Sequence, residues 1–87
     1  MAVIYSADIK PLFRPQDLQC MANPRRKIFL DDVQWMCDAT ATFGYPDHGN
    51  ARWVFDKIDS GEMPPDQEWS QANKDKYTQW MQDGFLA

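Results

Sequence analysis

A proline-rich elbow between two helices is the strongest constraint on how this chain folds. Residues 58–65 read Ile-Asp-Ser-Gly-Glu-Met-Pro-Pro. Glycine accepts the left-handed backbone that ends a helix, whereas the two prolines fix φ and keep the preceding methionine extended. The segment therefore predicts that a helix ends before Gly61, that Met63 lies on a stiff connection, and that the last helix begins after Ser70.

Two prolines also shape the first helical element. Ser6 or Asp8 can cap a helix in which Pro11 occupies the opening turn, where its missing N–H costs little. Pro15 interrupts this helix and can restart it. We therefore expect a kinked element that ends before Pro24.

The apolar spacing predicts three further helices and no strand pair. The second begins at Asp31 as its cap and extends to residues 43–44, and Asp47 or Asn50 caps the third. Ser70 caps the last helix and Gly84 ends it. The predicted fold is a single all-α domain of about four helices over residues 1–87. The inward faces of the three helices are, in order: Val33, Met36, Cys37 and Thr40; Ala51, Val54, Phe55 and Ile58; Asn73, Tyr77, Trp80 and Met81, with Trp80 deepest.

The charge balance is acidic, with nine Lys and Arg residues against 13 Asp and Glu residues and a net charge of −4. This argues against general affinity for nucleic acid and against electrostatic binding to a membrane. No apolar run approaches the roughly 20 residues that cross a bilayer, and the N-terminus lacks a signal-peptide pattern. A cytoplasmic location is therefore expected.

Residue types that support catalysis are sparse. His48 is the only histidine, and it has no serine or cysteine neighbour that it could activate, so we predict that the protein is not an enzyme. Cys20 and Cys37 are expected to pack as reduced thiols, the alternative being a disulfide in an exported protein. The sequence has two acidic clusters: Asp31, Asp32 and Asp38; Asp56, Asp59 and Glu62. Helix capping and solvation account for both clusters, and the alternative is that they make this a small metal-binding protein.

Aromatic residues are numerous, twelve in 87 residues, and four of them are tryptophan. Trp35 and Trp53 lie beside the apolar stripes of their helices, Trp69 precedes the last helix, and Tyr45 lies in a turn. These four side chains are the predicted partner-binding surface, which could also form a shallow groove for a small molecule. The alternative is that they complete the core.

Three segments, at residues 8–13, 58–65 and 80–84, carry a family resemblance. They read Asp-Ile-Lys-Pro-Leu-Phe, the elbow sequence, and Trp-Met-Gln-Asp-Gly. Together they resemble small class I cytochrome c domains, in which an Asp-Ile-x-Pro-x-Phe helix, an Ile-x-x-Gly-x-Met-Pro-Pro segment and a Trp-x-x-x-Gly helix frame the haem. The resemblance implies an orthogonal helical domain in which the first and last helices touch, with Met63 at the position of the distal iron ligand.

The haem-attachment motif CxxCH of that family is missing. The segment after Phe13 contains one cysteine, Cys20, and no histidine. We therefore expect a haem-less cytochrome c-like domain without a cofactor, acting as an accessory or adaptor module for a protein partner such as an oxidoreductase or a biosynthetic enzyme. The alternative is an electron-transfer or sensor protein with noncovalent haem held by Met63 and His48. Without haem, side chains would have to fill the volume that haem would occupy, because a cavity of that size is costly. The candidates are Met21, Phe29, Trp35, Trp53 and Met63.

Overall fold

The computed structural model describes residues 2–21, 28–61 and 69–87, and all regular structure in these ranges is helical. The all-α prediction is therefore confirmed for the described residues. None of the described helices is both long and apolar enough to cross a membrane. The elements are a π-helical turn Tyr5–Ile9, a 3-10 turn Lys10–Leu12, α1 Pro15–Met21, α2 Val33–Met36, α3 Gly49–Asp59 and α4 Gln71–Gln82.

The first element is kinked, as predicted. It begins at Tyr5, before both predicted caps, and the Lys10 N–H donates to the Tyr5 carbonyl in a five-residue π-helical step. Phe13 has extended backbone angles that break the helix, and α1 restarts with Pro15 as its first residue. The Asp17 carboxylate stabilises this restart by accepting hydrogen bonds from the Arg14 backbone at 3.0 Å and from the Arg14 guanidinium at 2.8 Å.

Helix α2 is one turn long, so the prediction of a helix to residues 43–44 is wrong. Asp32, and not Asp31, caps it by accepting from the Trp35 N–H at 3.2 Å. The chain leaves the helix because the Asp38 carboxylate binds the backbone N–H and the hydroxyl of Thr40, at 2.9 and 2.6 Å. Such local side-chain bonds compete with helical ones. Thr40 is consequently exposed and is not on an apolar face.

Neither predicted cap begins α3, because His48 takes that position with a left-handed backbone (φ 46°). Asn50 is instead buried, donating to the Trp35 carbonyl at 3.0 Å and accepting from the Thr42 hydroxyl at 2.8 Å. It thereby joins α2, the loop 37–48 and α3. Gly49 packs directly on this loop, since a Cβ atom there would lie 2.2 Å from the Thr42 carbonyl oxygen.

The ends of α3 and α4 follow the predicted pattern. Gly61 has φ 82°, and its N–H donates to the Ile58 carbonyl, as expected for a glycine that ends a helix. The Ser70 hydroxyl accepts from the Asn73 N–H and caps α4. A Schellman motif closes α4, with Gly84 at φ 107° and the Phe85 N–H donating to the Trp80 carbonyl.

Trp80 is fully buried at the centre of an aromatic core. Its ring lies 5.1 Å from Tyr5, 5.2 Å from Tyr77 and 5.3 Å from Phe85. The first and last elements also share one acceptor, because the Tyr5 backbone N–H and the Trp80 indole N–H both donate to the Leu86 carbonyl. Tyr77 connects α4 to α3 through a 2.8 Å bond to the Ala51 carbonyl.

Candidate functional site

The outward face of α3 is the candidate functional site. Ala51, Val54 and Ile58 bury one side of this helix, which leaves the opposite side turned away from the core. The loop 37–48 returns across that opposite side and places one side chain on each of three positions. The contacts are Phe43 on Trp53, Tyr45 on Asp56 and Asp47 on Arg52.

An aromatic stack of the exposed Phe43 on the half-buried Trp53 forms one half of this face. The rings of Phe43 and Trp53 are parallel to within 27°, with centroids 5.1 Å apart, and the Lys57 ammonium lies 5.5 Å from the Trp53 ring. Phe43 is 52% exposed, the highest value among the large apolar residues described. Its backbone is left-handed, with φ 53°, which costs a bulky residue about 1–3 kcal/mol. The stack, at about 0.5–1.5 kcal/mol, offsets part of that strain.

A shallow groove of about 340 Å³ forms the other half. The Tyr45 hydroxyl donates to the Asp56 carboxylate across it, and this hydrogen bond raises the pKa of Tyr45. The bond fixes both the ring and the carboxylate. The lining combines apolar and charged side chains and consists of Tyr45, Pro46, Asp47, Arg52, Phe55, Asp56 and Met81.

Asp47 and Arg52, which both line the groove, form an ion pair. The Arg52 Nη2 lies 3.2 Å from both carboxylate oxygens, and its Nε donates to the Asp47 carbonyl at 2.9 Å. His48 Nδ1 lies 2.7 Å from the same carboxylate, and its ring stacks on Phe85 at 3.8 Å. The hydrogen bonds from His48 and Arg52 lower the pKa of Asp47. The positive charge of Arg52 is therefore balanced within the protein.

The predicted surface residues separate into three environments. Trp53 and Tyr45 lie on the outward face of α3. Trp35 is half-buried elsewhere, and its ring packs edge-to-face with that of Phe29, with centroids 6.0 Å apart. Trp69 is only 8% exposed, packed against Phe13 at 5.0 Å, so it belongs to the core and not to a contact surface.

Sequence reasoning missed Phe43, the most exposed member of the site. The helix predicted through residues 43–44 hid the sharp turn of the loop. The signal for that turn was present, because a Phe-Gly pair followed by Tyr-Pro is typical of chain reversal and not of a continuing helix.

The hypothesis of noncovalent haem stays a prediction. Met63, one of its two proposed ligands, lies outside the described residues. The other, His48, is held by Asp47 through Nδ1 and by Phe85 through its ring face. Carboxylate bonding of this kind also orients histidines that bind metals. Within the described ranges, however, no three or more His, Cys, Asp or Glu side chains come together as a metal site.

Cys37 carries a free thiol that is half-buried, and burial raises the pKa of this thiol. It is therefore a poor nucleophile at neutral pH. The outward face of α3 presents partly exposed rings, a groove and fixed charges. Comparison of the chain with protein-family models, with curated proteins and with solved structures finds no match.

Proposed function

We propose that this protein is a haem-less, cytochrome c-like adaptor that binds a partner protein through the outward face of α3. The observation that carries the proposal is Phe43. This large apolar side chain is about half exposed to solvent and lies on a strained, left-handed backbone, where folding alone would favour glycine. Strain that packing does not fully offset is typical of functional positions.

The composition of the face supports a protein partner. Trp, Tyr and Phe are enriched at the centres of protein interfaces, where they provide most of the binding free energy. Trp53, Tyr45 and Phe43 are each held by a second side chain, which lowers the entropy lost on binding. The net charge of −4 favours a partner whose contact surface is basic, such as an oxidoreductase or a biosynthetic enzyme with a basic patch.

The cytochrome c-like part of the proposal is supported by the contact between the ends of the chain. The kinked first element packs on α4 through Tyr5 and Trp80, in the order that the family resemblance implies. The absence of CxxCH from the sequence removes covalent haem attachment. On this proposal the scaffold is retained for its shape.

Co-purification tests the adaptor function. The tagged protein is used to recover partners from cells that express its neighbouring genes, and each recovered protein is identified, purified and titrated. Phe43→Ala is expected to weaken the complex about 30-fold, because a central aromatic anchor contributes about 2 kcal/mol. Trp53→Ala should have a similar effect.

Phe29→Ala is the matched control. Phe29 is also an exposed ring packed on a tryptophan, but it lies beside Trp35 and not on α3. The affinity of Phe29→Ala for the partner should stay within about twofold of the affinity of the unsubstituted protein. Circular dichroism of each variant confirms that the fold is kept. A protein that remains a solitary monomer, or a complex that Phe43→Ala does not weaken, contradicts the proposal.

A further inference from the structure

We infer that the groove on the outward face of α3 receives an arginine side chain of the partner, an inference that rests on the proposed function and names the chemistry of its ligand. Aromatic and thioether side chains line the groove together with Asp56, a carboxylate that forms no ion pair within the described part of the chain. That combination suits a flat cation on an apolar stem.

The walls of the groove are fixed and apolar. Phe55 is half-buried and packs against the core ring of Tyr77, with centroids 5.4 Å apart. Tyr45 is held by its hydrogen bond to α3. Met81 supplies a polarizable thioether from α4. An arginine stem can lie along such walls while its guanidinium stacks on an aromatic ring.

The volume of the groove suits one long side chain. At about 340 Å³ it lies near the lower end of the range for small-molecule sites, roughly 300–1,000 Å³. The groove is open to solvent, so a side chain can reach it from a partner surface. Large cofactors would bury only a small part of their surface here.

The charges of the groove leave one carboxylate available. Asp47 is paired with Arg52, and the Arg52 guanidinium also lies 5.2 Å from the Phe85 ring. Asp56 accepts only the Tyr45 hydroxyl at Oδ2, and it forms no ion pair within the described ranges. The groove therefore presents a net negative charge, which attracts a cation and repels a carboxylate.

Arginine fits these contacts better than lysine. A guanidinium can donate two parallel hydrogen bonds to a carboxylate and stack on a tyrosine at the same time. The Tyr45 hydroxyl holds the Asp56 carboxylate in one orientation, so the geometry for these bonds is prepared before the ligand arrives. An ammonium group would keep the charge interaction but lose the stacking.

NMR titration of the full 15N-labelled chain tests the inference with N-acetyl-arginine amide as the probe. The expected result is saturable shifts at Tyr45, Phe55, Asp56 and Met81, and at least about tenfold weaker binding of N-acetyl-citrulline amide, which has the same shape without the charge. Asp56→Asn should weaken arginine binding about tenfold. Asp75→Asn, which removes the same charge from the exposed side of α4, should leave it unchanged.

Two results would overturn the inference. One is an equal response to the arginine and citrulline probes, and the other is arginine binding that Asp56→Asn does not weaken. The adaptor function can fail separately. If a partner complex depends on Phe43 but is insensitive to Asp56→Asn, the arginine site is wrong and the adaptor function stands. If the arginine probe binds as expected but no partner is found, the arginine site stands and the adaptor function is wrong.

Discussion

Backbone strain at Phe43 makes an unusual prediction about stability, namely that glycine is preferred to alanine at this position. Both Phe43→Gly and Phe43→Ala remove the ring and its stack on Trp53. The two variants differ in how well they tolerate the left-handed backbone at φ 53° and in the conformational entropy that they lose on folding. Comparing them therefore isolates the strain from the loss of packing.

The magnitude follows from two opposing effects. Alanine costs about 1–2 kcal/mol in the left-handed region, and glycine costs almost nothing there. Glycine, in turn, loses about 0.5–1 kcal/mol more conformational entropy on folding than alanine does. Phe43→Gly should consequently be more stable than Phe43→Ala by about 0.5–1 kcal/mol.

Urea denaturation, followed by circular dichroism at 222 nm, measures the difference. With a slope of roughly 1–2 kcal/mol per molar, the midpoint of Phe43→Gly should lie about 0.5 M above that of Phe43→Ala. Lys76, an exposed residue within α4, provides the control pair. There the order should reverse, because alanine exceeds glycine by about 1 kcal/mol within a helix. Equal midpoints, or the same order at both positions, would refute the strain at Phe43.

Three further perturbations test the loop, the core and the ion pair of Asp47 with Arg52. Gly49→Ala should lower the free energy of unfolding by at least about 2 kcal/mol, because the alanine Cβ would overlap the Thr42 backbone. Thermal melts measure the effect, and an unchanged midpoint would contradict the close approach of Gly49 to Thr42. Burial raises the pKa of Tyr5, so the contribution of the neutral hydroxyl to stability is complete below about pH 10 and is lost as the pH rises further. Tyr5→Phe should therefore flatten the loss of stability at alkaline pH, while costing about 1 kcal/mol at neutral pH. A loss as steep as that of the unsubstituted protein would count against this reasoning. His48 and Arg52 lower the pKa of Asp47, so the contribution of the Asp47 carboxylate to stability is present above about pH 4 and is lost as the pH falls below that value. Asp47→Asn should therefore make the stability less sensitive to acid, as measured by urea midpoints over a pH series. Unchanged acid sensitivity would show that the ion pair does not stabilise the fold.

Local signals predicted the last helix and the end of α3 correctly. Ser70, Gly84 and Gly61 act on the backbone within one turn of themselves, so their effect does not depend on distant parts of the chain. The burial of Trp80 likewise follows from the spacing of apolar residues on one helix face.

The prediction of a longer second helix failed because the spacing of apolar residues reports neither the local Asp38–Thr40 bonds that end the helix nor its longer-range alternatives. Its predicted continuation is replaced by backbone bonds from His48 and Gly49 to the carbonyls of Ala39 and Thr40, which periodicity does not report. The same error hid Phe43. Helix periodicity did place Trp53 beside the apolar stripe, whereas Trp69, outside any periodic segment, gave no such signal and proved to be in the core.

The contact between Gly49 and Thr42 has a consequence for relatives of this protein. Since only a hydrogen atom fits between the start of α3 and the loop, a sequence with any other residue at that position must direct its loop along a different path. Such a protein could keep the helical scaffold and yet lack the aromatic stack. Glycine at this one position would then distinguish homologues that share the proposed recognition surface from those that share only the fold.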